Sequence, residues 1–266
     1  MAPPVPAGLV NLPPVTASIH PEARFERPVR LTAPERVLTI GAHHDDAEFG
    51  CGGTLAKWAA AGAEISMLVI TDGSKGTWDE AMTAERLAAI RRQEQEEAAR
   101  ILGATGRLVF LDRVDGELSH DTALQEELCL WIRRLRPDVV LGFDPWKRYM
   151  MHPDHRAAGW AVVDAVVAAR DHLFFPHQLG GDTRKHRPGA LLLWSADEPD
   201  YWEDISATFD RKIDALLCHR SQAHSTMQGA TENGRAEFVE RMRVWAENLG
   251  RPAGLSLGES FKLLTP

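Results

Sequence analysis

Two short motifs contain the residue types that hold and use a catalytic metal ion. The first is AHHDDAE at residues 42–48, and the second is HPDH at residues 152–155. A catalytic zinc ion usually takes three protein ligands, commonly imidazole nitrogens and carboxylate oxygens, and leaves one position for water. His43, Asp46 and His155 supply such a His-Asp-His set. The motifs therefore predict a zinc site, and another divalent transition metal would suit the same donors.

The remaining polar residues of the two motifs have the chemistry for a hydrolysis. Asp45 stands next to a predicted ligand and could accept the proton of the attacking water. His152 could donate a hydrogen bond to an oxyanion or protonate a leaving amine. Asp154 could orient one of the imidazoles through a hydrogen bond. We therefore predict that Asp45 and His152 are catalytic residues and that Asp154 orients one of the imidazoles.

Each motif follows a short apolar segment with the composition of a buried strand. Three more such segments alternate with helical patterns along the chain. The predicted strands are Val37–Ile40, Ile65–Ile70, Leu108–Leu111, Val139–Gly142 and Leu191–Trp194. The predicted helices are Thr54–Ala61, Ala84–Leu102, Thr122–Leu135, Ala157–Ala169, Phe209–His219 and Glu237–Asn248.

This alternation is typical of an α/β fold. It predicts a Rossmann-like, mostly parallel sheet with helices on both faces. In such a sheet the loops that follow neighbouring strands meet at one edge, where ligands bind. Because both motifs follow predicted strands, we expect the active site at the C-terminal edge of the strands.

Charge and hydropathy exclude several classes of partner. The chain has 30 basic and 38 acidic residues, which gives a net charge of −8. This balance argues against a general nucleic-acid surface and against binding to anionic membranes. No apolar run reaches the roughly 18 residues that a membrane span needs.

The length of 266 residues suits one α/β domain, here predicted over residues 1–266 with a proline-rich N-terminal arm at residues 1–35. The arm lacks the basic and apolar regions of a signal peptide. Three widely spaced cysteines suit a reducing compartment, so we expect a cytoplasmic protein. We expect the arm to pack either on the body of the same chain or on a neighbouring subunit. The second alternative would make the protein a homo-oligomer.

The two motifs together resemble those of the PIG-L/LmbE-like family of zinc-dependent N-deacetylases. That family's first motif, Ala-His-Pro-Asp-Asp, leads into a glycine-rich helix start like Phe49–Leu55, and its second motif stands intact at residues 152–155. Residue by residue, the resemblance assigns the metal to His43, Asp46 and His155. It assigns the general base to Asp45 and oxyanion stabilisation to His152. His44 replaces the usual proline of the first motif, a change that removes no ligand.

The family resemblance also implies an activity and a substrate class. Its members remove acetyl groups from N-acetylglucosamine-type sugars, so we expect a hydrolase that acts on a small N-acetylated amino sugar or conjugate. Asp115 matches a family position that contacts sugar hydroxyls, and Lys75 lies in a glycine-flanked loop that could reach a distal hydroxyl or anionic group. The competing interpretation treats both as ordinary loop charges.

Two other functions remain open at this point. The same His-Asp-His site could serve an ester or phosphoester hydrolase. The chain could also be a non-catalytic sugar-binding relative, although retention of Asp45 and His152 speaks against that. A dinucleotide site is disfavoured because Leu55 occupies the third glycine position of the G-x-G-x-x-G pattern.

Overall fold

A seven-stranded sheet forms the centre of the molecule, with the strand order β3-β2-β1-β4-β5-β7-β6. The computed structural model describes residues 31, 33–225, 227 and 232–266. The strands are β1 Arg36–Gly41, β2 Glu64–Thr71, β3 Leu108–Arg113, β4 Val139–Phe143, β5 Ala190–Trp194, β6 Tyr201–Asp204 and β7 Gly258–Leu264. The predicted N-terminal arm at 1–35 lies almost entirely outside the described residues, so the arm and the single domain stay predictions.

Helices cover both faces of this sheet. They are α1 Asp46–Ala60, α2 Ala84–Leu102, α3 Thr122–Leu135, α4 Pro153–Arg170, α5 Phe209–Leu216 and α6 Glu232–Gly250. Helices α3 and α4 pack on each other, and α1, α2 and α5 form a second group. No helix in the described ranges has the length and apolarity to cross a bilayer. The α/β fold class predicted from the sequence, mostly parallel with helices on two faces, is confirmed.

The parallel strands explain why the site forms where it does. Strand β1 pairs in parallel with β2 on one side and with β4 on the other. The chain first moves outward from β1 through β2 to β3 and then returns to place β4 on the opposite side of β1. Such a reversal opens a crevice at the carboxyl ends of the two strands. The first motif follows β1 and the second follows β4, so both border this crevice.

Two parts of the fold differ from the sequence prediction. Strands β6 and β7 were not predicted; β7 adds antiparallel to β5, and β6 pairs antiparallel with β7. Helix α1 begins at Asp46 rather than Thr54, and α4 begins at Pro153 rather than Ala157. The glycines of α1 hid its start because glycine weakens a helix. Gly50 is needed there since an added Cβ would lie 2.6 Å from the Trp194 ring.

Candidate active site

The turn between β1 and α1 presents His43 and Asp46 together. The backbone N–H of His43 donates a 2.7 Å hydrogen bond to Oδ2 of Asp46, which closes the turn on itself. Both side chains are buried. Because Asp46 is the first residue of α1, its negative charge also lies at the favourable end of the helix dipole. The tight turn therefore fixes one imidazole and one carboxylate side by side.

His155 reaches the same point from the first turn of α4. Its Nε2 lies 3.2 Å from Nδ1 of His43 and 3.3 Å from Oδ1 of Asp46. Nδ1 of His43 lies 3.6 Å from Oδ2 of Asp46. Donors at about 2.0–2.1 Å from a tetrahedral zinc ion lie about 3.3–3.4 Å from one another. The two imidazole nitrogens have this spacing, and each lies near a different oxygen of the Asp46 carboxylate, so the three side chains have the chemistry to hold one divalent ion.

The second nitrogen of His43 is held by carboxylates behind this point. Nε2 lies 3.0 Å from Oδ2 of Asp154 and 3.2 Å from Oδ1 of Asp115. Asp154 is fully buried and also accepts the backbone N–H groups of Gly116 at 2.7 Å and Leu118 at 3.1 Å. With carboxylates at Nε2, the proton of a neutral His43 ring belongs there. The Nδ1 lone pair then faces Asp46 and His155, as a metal ligand requires.

The charges around His43 act on its protonation in opposite directions. Burial disfavours the charged ring, but hydrogen bonds to Asp115, Asp154 and Asp46 raise its pKa well above the ordinary value. Burial likewise opposes ionisation of Asp115, yet contact with His43 lowers the pKa of Asp115 to about 2. The site therefore carries a strong negative field, which favours a cation among these groups.

Asp45 lies in the same turn and lines the same cleft as the three donors. It is buried, and its backbone adopts the left-handed conformation with φ 85°. Burial raises the pKa of this carboxyl to about 7, against the opposing effect of Arg91, whose guanidinium lies 3.7 Å from Oδ2. In the described ranges no hydrogen-bond donor reaches Oδ2. A carboxylate in this environment is suited to accept a proton near neutral pH.

His152 caps the N-terminus of α4 and stacks on the donor group. Its Nδ1 accepts the backbone N–H of Asp154 at 3.3 Å, and its ring lies 4.6 Å from the His155 ring, centroid to centroid. A neutral His152 ring therefore has its proton on Nε2, where it can donate a hydrogen bond. Burial and the neighbouring His43 lower its pKa, which favours the neutral form. Ring nitrogens of His43, His152 and His155 all lie within 4.8 Å of one another.

A cleft of about 580 Å³ opens above these groups. Asp115 and Lys75, the two substrate contacts predicted from the sequence, both line it. Asp115 is buried, unlike an ordinary loop carboxylate, and its Oδ2 accepts the backbone N–H of Lys75 at 3.1 Å. The Lys75 ammonium pairs with Glu117 at 2.7 Å on the exposed side.

Other residues of the cleft were not predicted from the sequence. Arg91, Gln222 and Trp245 come from α2, from the segment after α5 and from α6, which are distant in sequence. No local pattern marks them, although Gln222 belongs to an HRSQ segment at residues 219–222. Trp78 and Trp146, two aromatic residues in the loops after β2 and β4, are exposed and lie outside the lining of the cleft.

Known proteins resemble this chain in sequence. A family model described as PIG-L, GlcNAc-PI de-N-acetylase, matches residues 38–166. A diacetylchitobiose deacetylase of Thermococcus kodakarensis is 36% identical over 188 residues, which cover 71% of this chain and 70% of that protein. A 4-oxalmesaconate hydratase of Pseudomonas putida is 27% identical over 225 residues, which cover 79% of this chain and 82% of that protein.

The fold agrees with the same group of proteins. The structure of an N,N'-diacetylchitobiose deacetylase from Pyrococcus horikoshii, complexed with an inhibitor, matches with a TM-score of 0.80 at 32% identity. The match covers 87% of this chain and 84% of that one. The residues matched by the family model, 38–166, include both motifs.

Proposed function

This chain belongs to the PIG-L family of deacetylases, and we propose that it is a metal-dependent hydrolase that removes an N-acetyl group from an amino sugar. The observation that carries the proposal is the convergence of His43, Asp46 and His155 at 3.2–3.6 Å beside the buried carboxyl of Asp45. Three donors with a base next to them form the minimal apparatus for hydrolysis at a Lewis acid.

We assign the metal to His43, Asp46 and His155, with zinc as the first candidate. When bound, the ion supplies a Lewis acid that makes water nucleophilic at neutral pH and polarises an acyl carbonyl. His152 is close to the same position, but its Nδ1 is engaged by the Asp154 backbone. For this reason we place His152 beside the metal rather than among its ligands.

Asp45 is the proposed base. Its carboxylate takes a proton from water as the water oxygen bonds to the acyl carbon. The Nε2–H of His152 then donates to the carbonyl oxygen as that oxygen becomes negative. When the C–N bond breaks, the proton held by Asp45 passes to the amine, and acetate and the free amino group leave. Asp154 keeps the His43 ring in one tautomer throughout.

The walls of the cleft support a sugar as the substrate. The lining of the cleft includes the polar groups of Lys75, Arg91 and Asp115 and the aromatic rings of Phe49 and Trp245. Hydroxyl groups suit the polar residues, and the apolar face of a pyranose ring suits the aromatic rings. Both deacetylases named above act on diacetylchitobiose, so we propose an N-acetylated amino sugar of one or two rings.

Location and reaction class are part of the same proposal. Cys51, Cys129 and Cys218 are all buried and unpaired by disulfides, which supports a reducing, cytoplasmic location. Acyl transfer to water is favoured over phosphate chemistry because the cleft presents three carboxylates, Asp45, Asp46 and Asp115, which would repel a phosphate dianion.

A substrate panel tests the proposed reaction. The zinc-loaded chain is incubated with N-acetylglucosamine, diacetylchitobiose, an aryl acetate ester, an aryl phosphate and 4-oxalmesaconate. The proposal expects acetate and free amine in equal amounts from the amino sugars, at the highest kcat/KM of the panel. Phosphate release, hydration of the unsaturated acid or ester cleavage without amide cleavage would each contradict it.

A further inference from the structure

Helix α1 begins with a residue whose side chain does not cap it. Asp45 is the N-cap, and its carbonyl accepts the N–H of Phe49 at 3.0 Å. An N-cap aspartate normally uses its carboxylate to accept a backbone N–H from the first turn of the helix. Within the described ranges the Asp45 side chain makes no such bond. Its carboxylate is thereby left available to the cleft, which it lines.

A glutamine from another helix takes over part of the capping. The backbone N–H of Asp45 donates to Oε1 of Gln95 at 3.1 Å, and Nε2 of Gln95 donates to Oε1 of Glu48 at 2.6 Å. In an ordinary capping box the glutamate at this third helix position accepts the N-cap N–H directly. Here Gln95 lies between the two groups. Both Gln95 and Glu48 are completely buried.

The other end of the same peptide group is also held by α2. The carbonyl of His44 and the N–H of Asp45 belong to the same peptide group. This carbonyl accepts a 2.7 Å hydrogen bond from Nη2 of Arg91. Arg91 and Gln95 are four residues apart on α2, so they project from one face of that helix. They therefore clamp one peptide plane at both its oxygen and its N–H. The orientation of this plane sets the φ of Asp45.

This clamp acts where the backbone is least stable by itself. Asp45 has φ 85°, a left-handed conformation that residues with a Cβ rarely adopt. Such conformations persist when the surrounding structure determines them several times over. Rotation about the N–Cα bond of Asp45 alone would return this residue to an ordinary conformation and turn its carboxylate away. The two bonds from α2 oppose that rotation.

We propose that Gln95 is a positioning residue that, with Arg91, fixes the His44–Asp45 peptide and so aims the Asp45 carboxylate for proton transfer. The proposal rests on the proposed function of Asp45 as the base. Gln95 itself is absent from the lining of the cleft, so its contribution acts through the backbone of Asp45. The Asp45 N–H defines the orientation of the Gln95 amide, because only Oε1 can accept a hydrogen bond from it.

The test replaces Gln95 with methionine, which keeps the length of the side chain and removes both hydrogen bonds. We expect kcat on diacetylchitobiose to fall about ten- to hundredfold, because the buried N–H of Asp45 loses its acceptor. KM should stay within about twofold, and zinc content should match the wild type. Hydrogen exchange of the Asp45 amide should become at least tenfold faster, while amides in the middle of α1 stay protected.

Matched variants separate positioning from folding. Gln93→Met makes the same chemical change at an exposed position of α2 and should leave kcat and amide exchange unchanged. If Gln95→Met does not fold, Gln95→Asn supplies the same readouts with a smaller change in volume.

Three results would overturn the proposal. They are an unchanged kcat, an unchanged exchange rate of the Asp45 amide, and a loss of kcat that only follows a loss of zinc. The exchange measurement needs no substrate, so it judges the clamp even if the wild-type chain releases no acetate. A wild-type chain that releases no acetate would contradict the proposed function but would leave the test of the clamp intact.

Discussion

The floor and the rim of the cleft are built in opposite ways. The floor consists of His43, Asp46, Asp154 and His155, and the rim consists of loops 72–83 and 144–151, which follow β2 and β4. On the floor, Asp154 is 0% exposed and accepts three hydrogen bonds. On the rim, Trp78 is 72% exposed and Tyr149 is 95% exposed.

This difference separates reaction chemistry from substrate choice. Each floor residue contacts two or more partners from the segments that follow β1, β3 and β4, so a change there disturbs the whole proposed metal site. Rim residues are held mainly by local turns and by exposed ion pairs such as Lys75 with Glu117, which contribute little stability. Substrate preference can therefore change on the rim while the chemistry on the floor stays the same.

Loss of a floor ligand should give the largest effect. His155→Ala removes one of three proposed donors, and zinc binding should weaken by more than about 100-fold, since even outer partners of a ligand contribute about 10- to 100-fold. Acetate release should fall in parallel. Metal content after dialysis and turnover measure both. His177→Ala changes an exposed histidine paired with Glu126 and serves as the control, with full zinc and full turnover expected.

Removal of the base should give a large effect of a different kind. Asp45→Asn keeps the shape of the side chain but cannot accept a proton, so turnover should fall about 10²- to 10⁴-fold while zinc stays bound. Asp210→Asn, at an exposed position of α5, is the matched change. A variant at position 45 that lost its zinc would make Asp45 a ligand instead.

Removal of the carboxylate behind His43 should give an intermediate effect. In Asp154→Asn an amide replaces a carboxylate that accepts hydrogen bonds from two backbone N–H groups and from Nε2 of His43. We expect zinc affinity to fall about 10- to 100-fold. Asp164→Asn is the matched control, because Asp164 lies on the same helix and contacts His120 at 2.8 Å on the surface. Equal zinc affinity in the two variants would remove Asp154 from the metal site.

A change in the cleft wall should give the smallest effect and should depend on the substrate. Trp245→Ala removes an aromatic ring from the α6 side of the cleft. An aromatic contact is worth about 0.5–1.5 kcal/mol, so KM for diacetylchitobiose should rise about 2- to 12-fold with kcat nearly unchanged. Trp245→Phe should keep most of the affinity. An equal effect on kcat would place Trp245 with the floor rather than with the wall.

The sequence predicted the parts of this molecule that depend on local patterns. The apolar segments of β1 and β4, together with the two motifs, were enough to place His43 and His155 at one edge of a parallel sheet. Strands β6 and β7 escaped prediction because β6 has only four residues and pairs with a strand far along the chain. Their pairing depends on tertiary contacts that no local pattern reveals.

The site shows the same division. The contacts of Arg91 and Gln95 with the His44–Asp45 peptide depend on how α2 packs beside α1. Asp115 was predicted as a substrate contact from the family resemblance, but its 3.2 Å approach to His43 depends on how the loop after β3 lies beside the turn after β1. Motifs therefore indicate the reacting groups, whereas the groups that aim them become visible only in the folded chain.

The central claim is that one divalent ion held by His43, Asp46 and His155 is required for N-acetyl hydrolysis. The most direct measurement removes metal from the chain with a chelator and then titrates zinc back, following bound zinc and acetate release from diacetylchitobiose in the same samples. The account predicts that the stripped chain is inactive and that activity returns in proportion to bound zinc, with an end point at a single ion per chain. Full activity of the stripped chain, or acetate release that does not follow bound zinc, would contradict it.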